Sequence, residues 1–173
     1  MKLRIPLAAL AAAGSVVAAA TIAVSGTLGA AAAPSAPTAA VSGTEHFQFI
    51  SASPTSSKLS LIASGVFTAP GVDHDGPNNV GTFVFASGTV TFKHSAGTGT
   101  HTFNPKTCLL TLNLHGTYKL LNGTGKYAGI TGNGTYQANL LAILAKSGGT
   151  CSKTEPPVAF QRIIRASGPV TLR

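Results

Sequence analysis

Apolar and polar residues alternate in short runs along the chain, from about residue 44 to its end. Residues 46–50 place Phe47 and Phe49 on one face, which is the period of two typical of a strand with one buried side. Clusters of Gly, Pro, Ser and Asn between such runs predict turns. The predicted strands are residues 44–50, 58–68, 81–94 with a break at 87–88, 101–103, 107–120, 135–146 and 160–172 with an interruption at 167–169.

Ala-Pro-Gly at 69–71 predicts the end of the second strand, and residues 72–80 then predict a polar loop. Residues 135–146 fit a strand, but their leucines and isoleucine would equally line a short helix. The flanking Gly134 and the β-rich surroundings favour the strand.

Eight or so short strands with almost no helix predict an all-β domain. We expect an eight-stranded antiparallel β-barrel, with a β-sandwich as the alternative. Closure into a barrel removes the unpaired strand edges that promote aggregation. The interior of such a barrel is either filled by side chains or holds one small ligand, and the sequence leaves both options open.

The first residues predict export. A short basic start, an apolar alanine-rich run and small residues up to Ala33 are typical of a secretory signal peptide over residues 1–33, and a retained transmembrane anchor is the alternative. Residues 34–43, rich in Ala, Pro, Ser and Thr, predict a flexible tether, and residues 44–173 a single barrel domain. In a secreted protein the two cysteines, Cys108 and Cys151, are expected to form a disulfide.

The charge of the chain changes this picture little. It carries 12 Lys and Arg against 4 Asp and Glu, and loss of Lys2 and Arg4 with the leader would leave an excess of about six positive charges. The cations are spread singly, whereas nucleic-acid binding requires a clustered basic face, so we expect no nucleic-acid partner. Weak contact with anionic polymers of the cell envelope is compatible with this charge. The oligomeric state is left open.

Residues 116–136 form the strongest motif, a strand, a tight turn and a second strand with glycine at nearly every bend. The sequence GTYKLLNGTGKYAGITG resembles the "gGTGkYaGatG" hairpin of the allene oxide cyclase and dirigent superfamily, especially its secreted bacterial members. ASGVF at 63–67, GTV at 88–90 and ASGPV at 166–170 are similar to the same pattern. The glycines expected to shape the turn are Gly123, Gly125, Gly129 and Gly132.

This resemblance covers residues 43–173 and implies an eight-stranded antiparallel barrel. Plant cyclases of the superfamily convert an unstable epoxide to a cyclopentenone in an apolar cavity. Dirigent proteins steer radical coupling without performing the oxidation. No position of this chain matches their catalytic carboxylates with enough surrounding sequence, so the resemblance carries over the fold and not the activity.

Five residues are candidates for catalysis, and we expect them to matter only where they point into a cavity. They are Glu45, His46, His94, His101 and His115. Three histidines that converge would make a zinc site or a pocket with a general base. Serine and threonine surround each histidine, which favours histidines on a polar face instead.

Asp73 and Asp75 are candidate metal ligands, because oxygen-rich loops bind hard cations. Gly76 comes too early for the calcium-loop template and Pro77 occupies a ligand position, so a solvated turn without metal is the preferred interpretation. The chain has neither a Gly-x-Ser-x-Gly elbow nor a phosphate loop. We expect no cofactor.

Three hypotheses for function remain. The first is a secreted, non-catalytic β-barrel that binds a small apolar ligand or a partner surface. The second is a cofactor-free isomerase or cyclase of the allene oxide cyclase type. The third is a basic structural protein of the cell envelope, which predicts a filled barrel. An ionisable residue that points into a cavity would separate the first two.

Overall fold

The computed structural model describes residues 39–173, which form eleven strands and two short 3-10 turns at Pro77–Asn79 and Gly125–Tyr127. The domain is therefore all-β, as predicted. The strands are β1 (Val41–Ser51), β2 (Lys58–Ser64), β3 (Ala69–Asp75), β4 (Val80–Phe85), β5 (Gly88–His94), β6 (Thr98–Asn104), β7 (Leu109–Gly123), β8 (Thr131–Ile143), β9 (Lys146–Ser147), β10 (Thr150–Cys151) and β11 (Ala159–Leu172).

Eight of these strands close into an antiparallel barrel. Their order is β5, β4, β3, β2, β1, β11, β8 and β7, and pairing of β5 with β7 closes the ring. The predicted eight-stranded antiparallel barrel is confirmed, and the sandwich is not adopted. β9 and β10 form a separate two-stranded sheet.

The long strands β7, β8 and β11 extend past the end of β5. The second part of β7, Tyr118–Gly123, pairs with β5, whereas its first part, Leu109–His115, pairs with β6. β8 follows β7 over the whole of this length, and β11 follows β8. Together these parts make a sheet extension beside the end of the barrel where β3 and β5 terminate, which we call the open end.

Inward-facing side chains from alternate strand positions fill the other half of the barrel. In β1, Phe47 and Phe49 are buried while His46 and Gln48 between them are exposed. Aromatic rings dominate this core, with Phe83 stacked on Phe92 at 4.2 Å between ring centroids. Tyr127 is buried and packs against Phe67 and Phe85. Such ring pairs add to the stabilisation from burial alone.

The predicted loop at residues 72–80 is wrong over 72–75, because residues 69–75 form part of the barrel wall as β3, and the connection to β4 is confined to residues 76–79. β3 pairs with β2 on one side and β4 on the other, with Leu59 opposite Asp73 and Asp73 opposite Phe83. The Ala-Pro-Gly sequence that suggested a strand end lies inside β3. Gly71 is required there because a Cβ would overlap the ring of Phe85.

The N-terminal predictions lie mostly outside the described residues. The leader at 1–33 and most of the tether at 34–43 are not described, and they stay predictions. β1 begins at Val41, earlier than the expected residue 44, because the backbone of Val41 and Gly43 pairs with Leu172 and Val170 of β11. Within residues 39–173, no helix has the length and apolarity needed to cross a membrane.

The glycine-rich hairpin lies where its sequence predicts, between β7 and β8. Gly125 and Gly129 have φ of +59° and +75°, a region that side chains with a Cβ adopt at a cost. Gly123 and Gly132 lie in the flanking strands, where a Cβ would crowd the backbone carbonyls of Tyr127 and Pro169 respectively. The hairpin therefore needs glycine for two reasons, backbone conformation in the turn and close approach in the strands.

The predicted disulfide is present. Cys108 and Cys151 are bonded, with their Cα atoms 5.4 Å apart. The bond ties the turn between β6 and β7 to β10, at the far end of the sheet extension. It closes a loop that contains all of β8.

Candidate functional site

A cavity of about 320 Å³ lies at the open end of the barrel, between the aromatic core and the sheet extension. The inner faces of β1, β3, β4, β5, β7, β8 and β11 contribute to its walls. The barrel is thus filled in one half and hollow in the other. This arrangement resolves the alternative that the sequence left open.

Most of the cavity wall is apolar. Aromatic rings form the side toward the barrel core, and aliphatic side chains of the sheet extension form the opposite side. Strand periodicity explains the aliphatic side, because every second residue of the extended strands faces inward. The main apolar residues are Phe49, Phe83, Phe92, Leu112, Leu114 and Leu140.

Asp73 is a buried carboxylic acid in this wall, and its pKa is strongly raised. Its side chain is only 4% exposed, and its Oδ1 has no hydrogen-bond partner within residues 39–173. Burial raises the pKa of Asp73 to about 7, with a further increase from the negative charge of Asp75 and a partial offset from Arg162. Asp73 therefore exchanges a proton near neutral pH, which is the property required of a general acid or base.

Arg162 and Tyr118 complete the polar part of the wall. The Nη2 of Arg162 donates a hydrogen bond of 3.1 Å to the carbonyl oxygen of Ser56, which holds the guanidinium at the cavity edge. Its Nε is buried without a partner among the described residues, and so is the hydroxyl of Tyr118. Burial raises the pKa of Tyr118 to about 12, so this hydroxyl stays protonated and able to donate.

Three residues that line one apolar cavity thus each carry a buried polar atom without a partner among residues 39–173. Unpaired buried polar groups cost about 1–3 kcal/mol each, and native proteins contain few of them. A bound molecule with a hydrogen-bonding group would satisfy these atoms where side-chain rotation turns them toward the cavity. The arrangement matches the general form of a small-molecule site, in which an apolar wall supplies affinity and a few polar groups set orientation.

The rim of the cavity carries a second polar group of residues. Nε2 of His94 lies 3.9 Å from Oδ1 of Asp75, and the His94 ring packs edge-on against Tyr136. His94 Nδ1 and the hydroxyl of Tyr136 both contact the carbonyl oxygen of Ser95, at 2.9 and 3.0 Å. These contacts hold the rim residues in place at the end of β5.

Of the five catalytic candidates, only His94 lies in the cavity wall. Glu45 is fully buried in the filled half, where its Oε2 accepts a hydrogen bond of 3.1 Å from the backbone N–H of Phe67. Burial raises its pKa despite this bond. Glu45 therefore holds the turn between β2 and β3 and does not face the cavity.

The other three histidines lie elsewhere. His46 and His115 are exposed on the outer face of the barrel and line one groove there. His101 is exposed on β6. The four histidines do not converge. Within residues 39–173, no group of three or more His, Cys, Asp or Glu side chains has a geometry that could hold a metal ion.

The sequence analysis missed Arg162 and Tyr118, and it treated Asp73 only as a metal candidate. For Arg162 a signal existed. In residues 160–166 every second residue shares a face, which groups Arg162 with Phe160, Ile164 and Ala166.

Comparison of the chain with protein-family models, with curated proteins and with solved structures finds no match.

Proposed function

We propose that this domain binds a small, largely apolar molecule that carries one hydrogen-bonding group. The molecule lies in the cavity at the open end, with its apolar body against Leu112 and Leu140. Its polar group meets Asp73, Tyr118 and Arg162. We further propose that the protein works outside the cell, in line with the predicted leader and the disulfide.

The observation that carries the proposal is the set of three unpartnered polar atoms in a cavity with an apolar wall. A hollow half also favours this hypothesis over the structural envelope protein, for which a filled barrel was expected. Burial of apolar ligand surface contributes about 25 cal/mol per Å² before the costs of association. A ligand of this cavity's size would therefore gain most of its affinity from the aliphatic and aromatic walls.

The resemblance of the 116–136 hairpin to the allene oxide cyclase and dirigent superfamily supports the same proposal. Both groups handle small, mostly apolar molecules in or on a barrel of eight strands. The closed antiparallel barrel of this chain is compatible with membership. We propose a distant relationship on these grounds, with a ligand of similar general character.

Adjacent leucines of β8 allow a controlled test. Leu140 lines the cavity, while Leu141 is 40% exposed on the opposite face. A fluorescent apolar probe, cis-parinaric acid, is titrated into the mature protein and its Leu140→Gln and Leu141→Gln variants. We expect Leu140→Gln to weaken binding by about tenfold or more, since it places an amide in the apolar wall, and Leu141→Gln to leave it unchanged. Equal affinities for all three proteins would contradict the proposed site.

A cofactor-free isomerase is the second candidate function, and the pKa of about 7 for Asp73 favours it. A carboxyl group with this pKa can give a proton to a bound molecule and take one back at neutral pH. The Asp73→Asn variant would bind the substrate without this proton transfer. Compound extracted from secreted Asp73→Asn protein is then incubated with the wild type. Conversion to an isomer of equal mass and different retention would establish catalysis, and unchanged compound would leave binding as the function.

A further inference from the structure

A second concave surface lies on the outer face of the barrel, away from the cavity. This groove has a volume of about 580 Å³ and crosses β2, β1, β11, β8 and β7. Its polar side chains alternate with those that face the barrel interior and do not line the cavity, although Phe47 and Ala166 border both, so its polar groups are separate from the ligand site proposed above. We call this surface the outer groove.

The outer groove is built around Arg165. Strand pairing places Arg165 opposite Gln48 on one side and Gln137 on the other, and Gln137 lies opposite His115. Neighbouring strands are about 4.8 Å apart, so this row of four residues spans roughly 15 Å. A parallel row one step along the strands consists of Ser64, His46, Ser167 and Thr135.

No carboxylate of the described chain neutralises Arg165. Glu45 and Asp73 are buried inside the barrel, Asp75 lies at the cavity rim, and Glu155 lies in the segment before β11. The one ion pair within 4.0 Å among residues 39–173 joins His94 and Asp75. The exposed guanidinium therefore stands in a row of amide, imidazole and hydroxyl groups without an acidic partner.

These groups suit an acidic sugar chain better than a nucleic acid. A guanidinium binds a carboxylate through two parallel hydrogen bonds. Glutamine amides and hydroxyls both donate and accept hydrogen bonds, as sugar hydroxyls require of their partners. A nucleic acid would instead need several clustered cations along its phosphates, and among residues 39–173 Arg165 is the only Lys or Arg that lines the outer groove.

We infer that the outer groove binds an acidic glycan, with a carboxylate of the sugar chain on Arg165 and neighbouring sugar hydroxyls on Gln48, Gln137 and His115. This would give the protein a means of attachment to anionic polysaccharide outside the cell. It goes beyond the proposed ligand in the cavity, and neither depends on the other.

Calorimetric titration of the mature protein with tetragalacturonate tests the inference, with neutral maltotetraose as the reference sugar. The variants are Arg165→Gln, Gln137→Ala and, as a control for loss of one exposed charge, Lys126→Gln at the far hairpin turn. We expect tetragalacturonate to bind and maltotetraose not to bind. Arg165→Gln should weaken binding by about tenfold, Gln137→Ala by a few fold, and Lys126→Gln by less than about twofold.

Three results would overturn the inference. Equal losses for Arg165→Gln and Lys126→Gln would mean general attraction to a basic protein. Equal affinity for the two sugars, or no binding of either sugar, would mean that no acidic-glycan site exists. A short single-stranded DNA that binds in the same calorimetric titration as tightly as tetragalacturonate would mean an unspecific anion surface. Thermal unfolding of each variant confirms that a loss of binding does not reflect a loss of fold.

Discussion

Replacement of Asp73 by Asn should change how the stability of the protein depends on pH. Asp73 is buried and its pKa lies at about 7, compared with an ordinary value of 3.8. Burial is the main cause, and the charge of Asp75 adds to it. Asparagine has nearly the same shape as the protonated acid and is uncharged at every pH, so Asp73→Asn removes the titration of this position with little change in packing.

The sign follows from proton linkage. Between the two pKa values the folded state binds more protons at Asp73 than the unfolded chain, so stability falls as pH rises through this interval. With the values of 3.8 and about 7, the raised pKa of Asp73 lowers the free energy of unfolding by about 4 kcal/mol at pH 8 and by about 2 kcal/mol at pH 5, relative to a pH below both values. The wild type should therefore lose about 2–3 kcal/mol relative to Asp73→Asn between pH 5 and pH 8.

Urea unfolding of both proteins at several pH values, with the disulfide intact, measures this difference. Other titrating groups, including Glu45, are present in both proteins and cancel in the comparison. Glu155→Gln is the matched control, because Glu155 is an exposed carboxylate in the segment before β11 and is not among the charges that act on Asp73. We expect the stability difference between wild type and Glu155→Gln to vary by less than about 1 kcal/mol over the same range.

The refuting result is a pair of parallel curves. If wild type and Asp73→Asn keep a constant stability difference from pH 5 to pH 8, Asp73 does not titrate near neutrality in the folded protein. The assignment of Asp73 as a proton-exchanging group in the cavity would then fail. The candidate isomerase function would fail with it.

Three further predictions concern the scaffold, and urea unfolding measures each. Gly125→Ala should lower the free energy of unfolding by at least about 2–3 kcal/mol, because its Cβ would meet the carbonyl oxygen of Ser87. Gly148→Ala, at φ +58° with open space around it, should lower it by about 1 kcal/mol. Equal losses for the two variants would refute the steric argument. Glu45→Ala should cost about 1–3 kcal/mol, because the Phe67 N–H loses its acceptor, and Glu45→Gln less; a stabilised Ala variant would refute this role. Replacing both cysteines by serine should cost roughly 4 kcal/mol for a loop closed over 43 residues, and an unchanged stability would argue against a constraint on the unfolded chain.

Sequence reasoning found the barrel because most of its strands are apolar inside and polar outside. β1 is typical, with Phe47 and Phe49 buried between exposed residues. The glycine-rich hairpin and the cysteine pair were also visible, since each needs a specific residue type at a specific place. These features depend on local chemistry or on period, and both can be read along one chain.

Strand β3 was not predicted because it reverses the usual pattern of apolar residues inside and polar residues outside. Val72 is 37% exposed on its outer face, while Asp73 is buried on its inner face. A strand that lines a polar part of a cavity places polar residues inward, and its sequence then resembles a loop. The site could not be predicted for a second reason. The other polar residues of the cavity wall, Tyr118 and Arg162, lie in β7 and β11, far from Asp73 along the chain.

Native mass spectrometry of the secreted protein, taken from culture medium and kept non-reduced, tests directly whether the cavity holds a ligand. We expect one reproducible added mass per polypeptide that is lost on denaturation and is strongly reduced in the Leu140→Gln variant. The Leu141→Gln variant should retain it. A bare polypeptide that also takes up no cis-parinaric acid would contradict the account, because a cavity with three unpartnered polar atoms would then bind nothing.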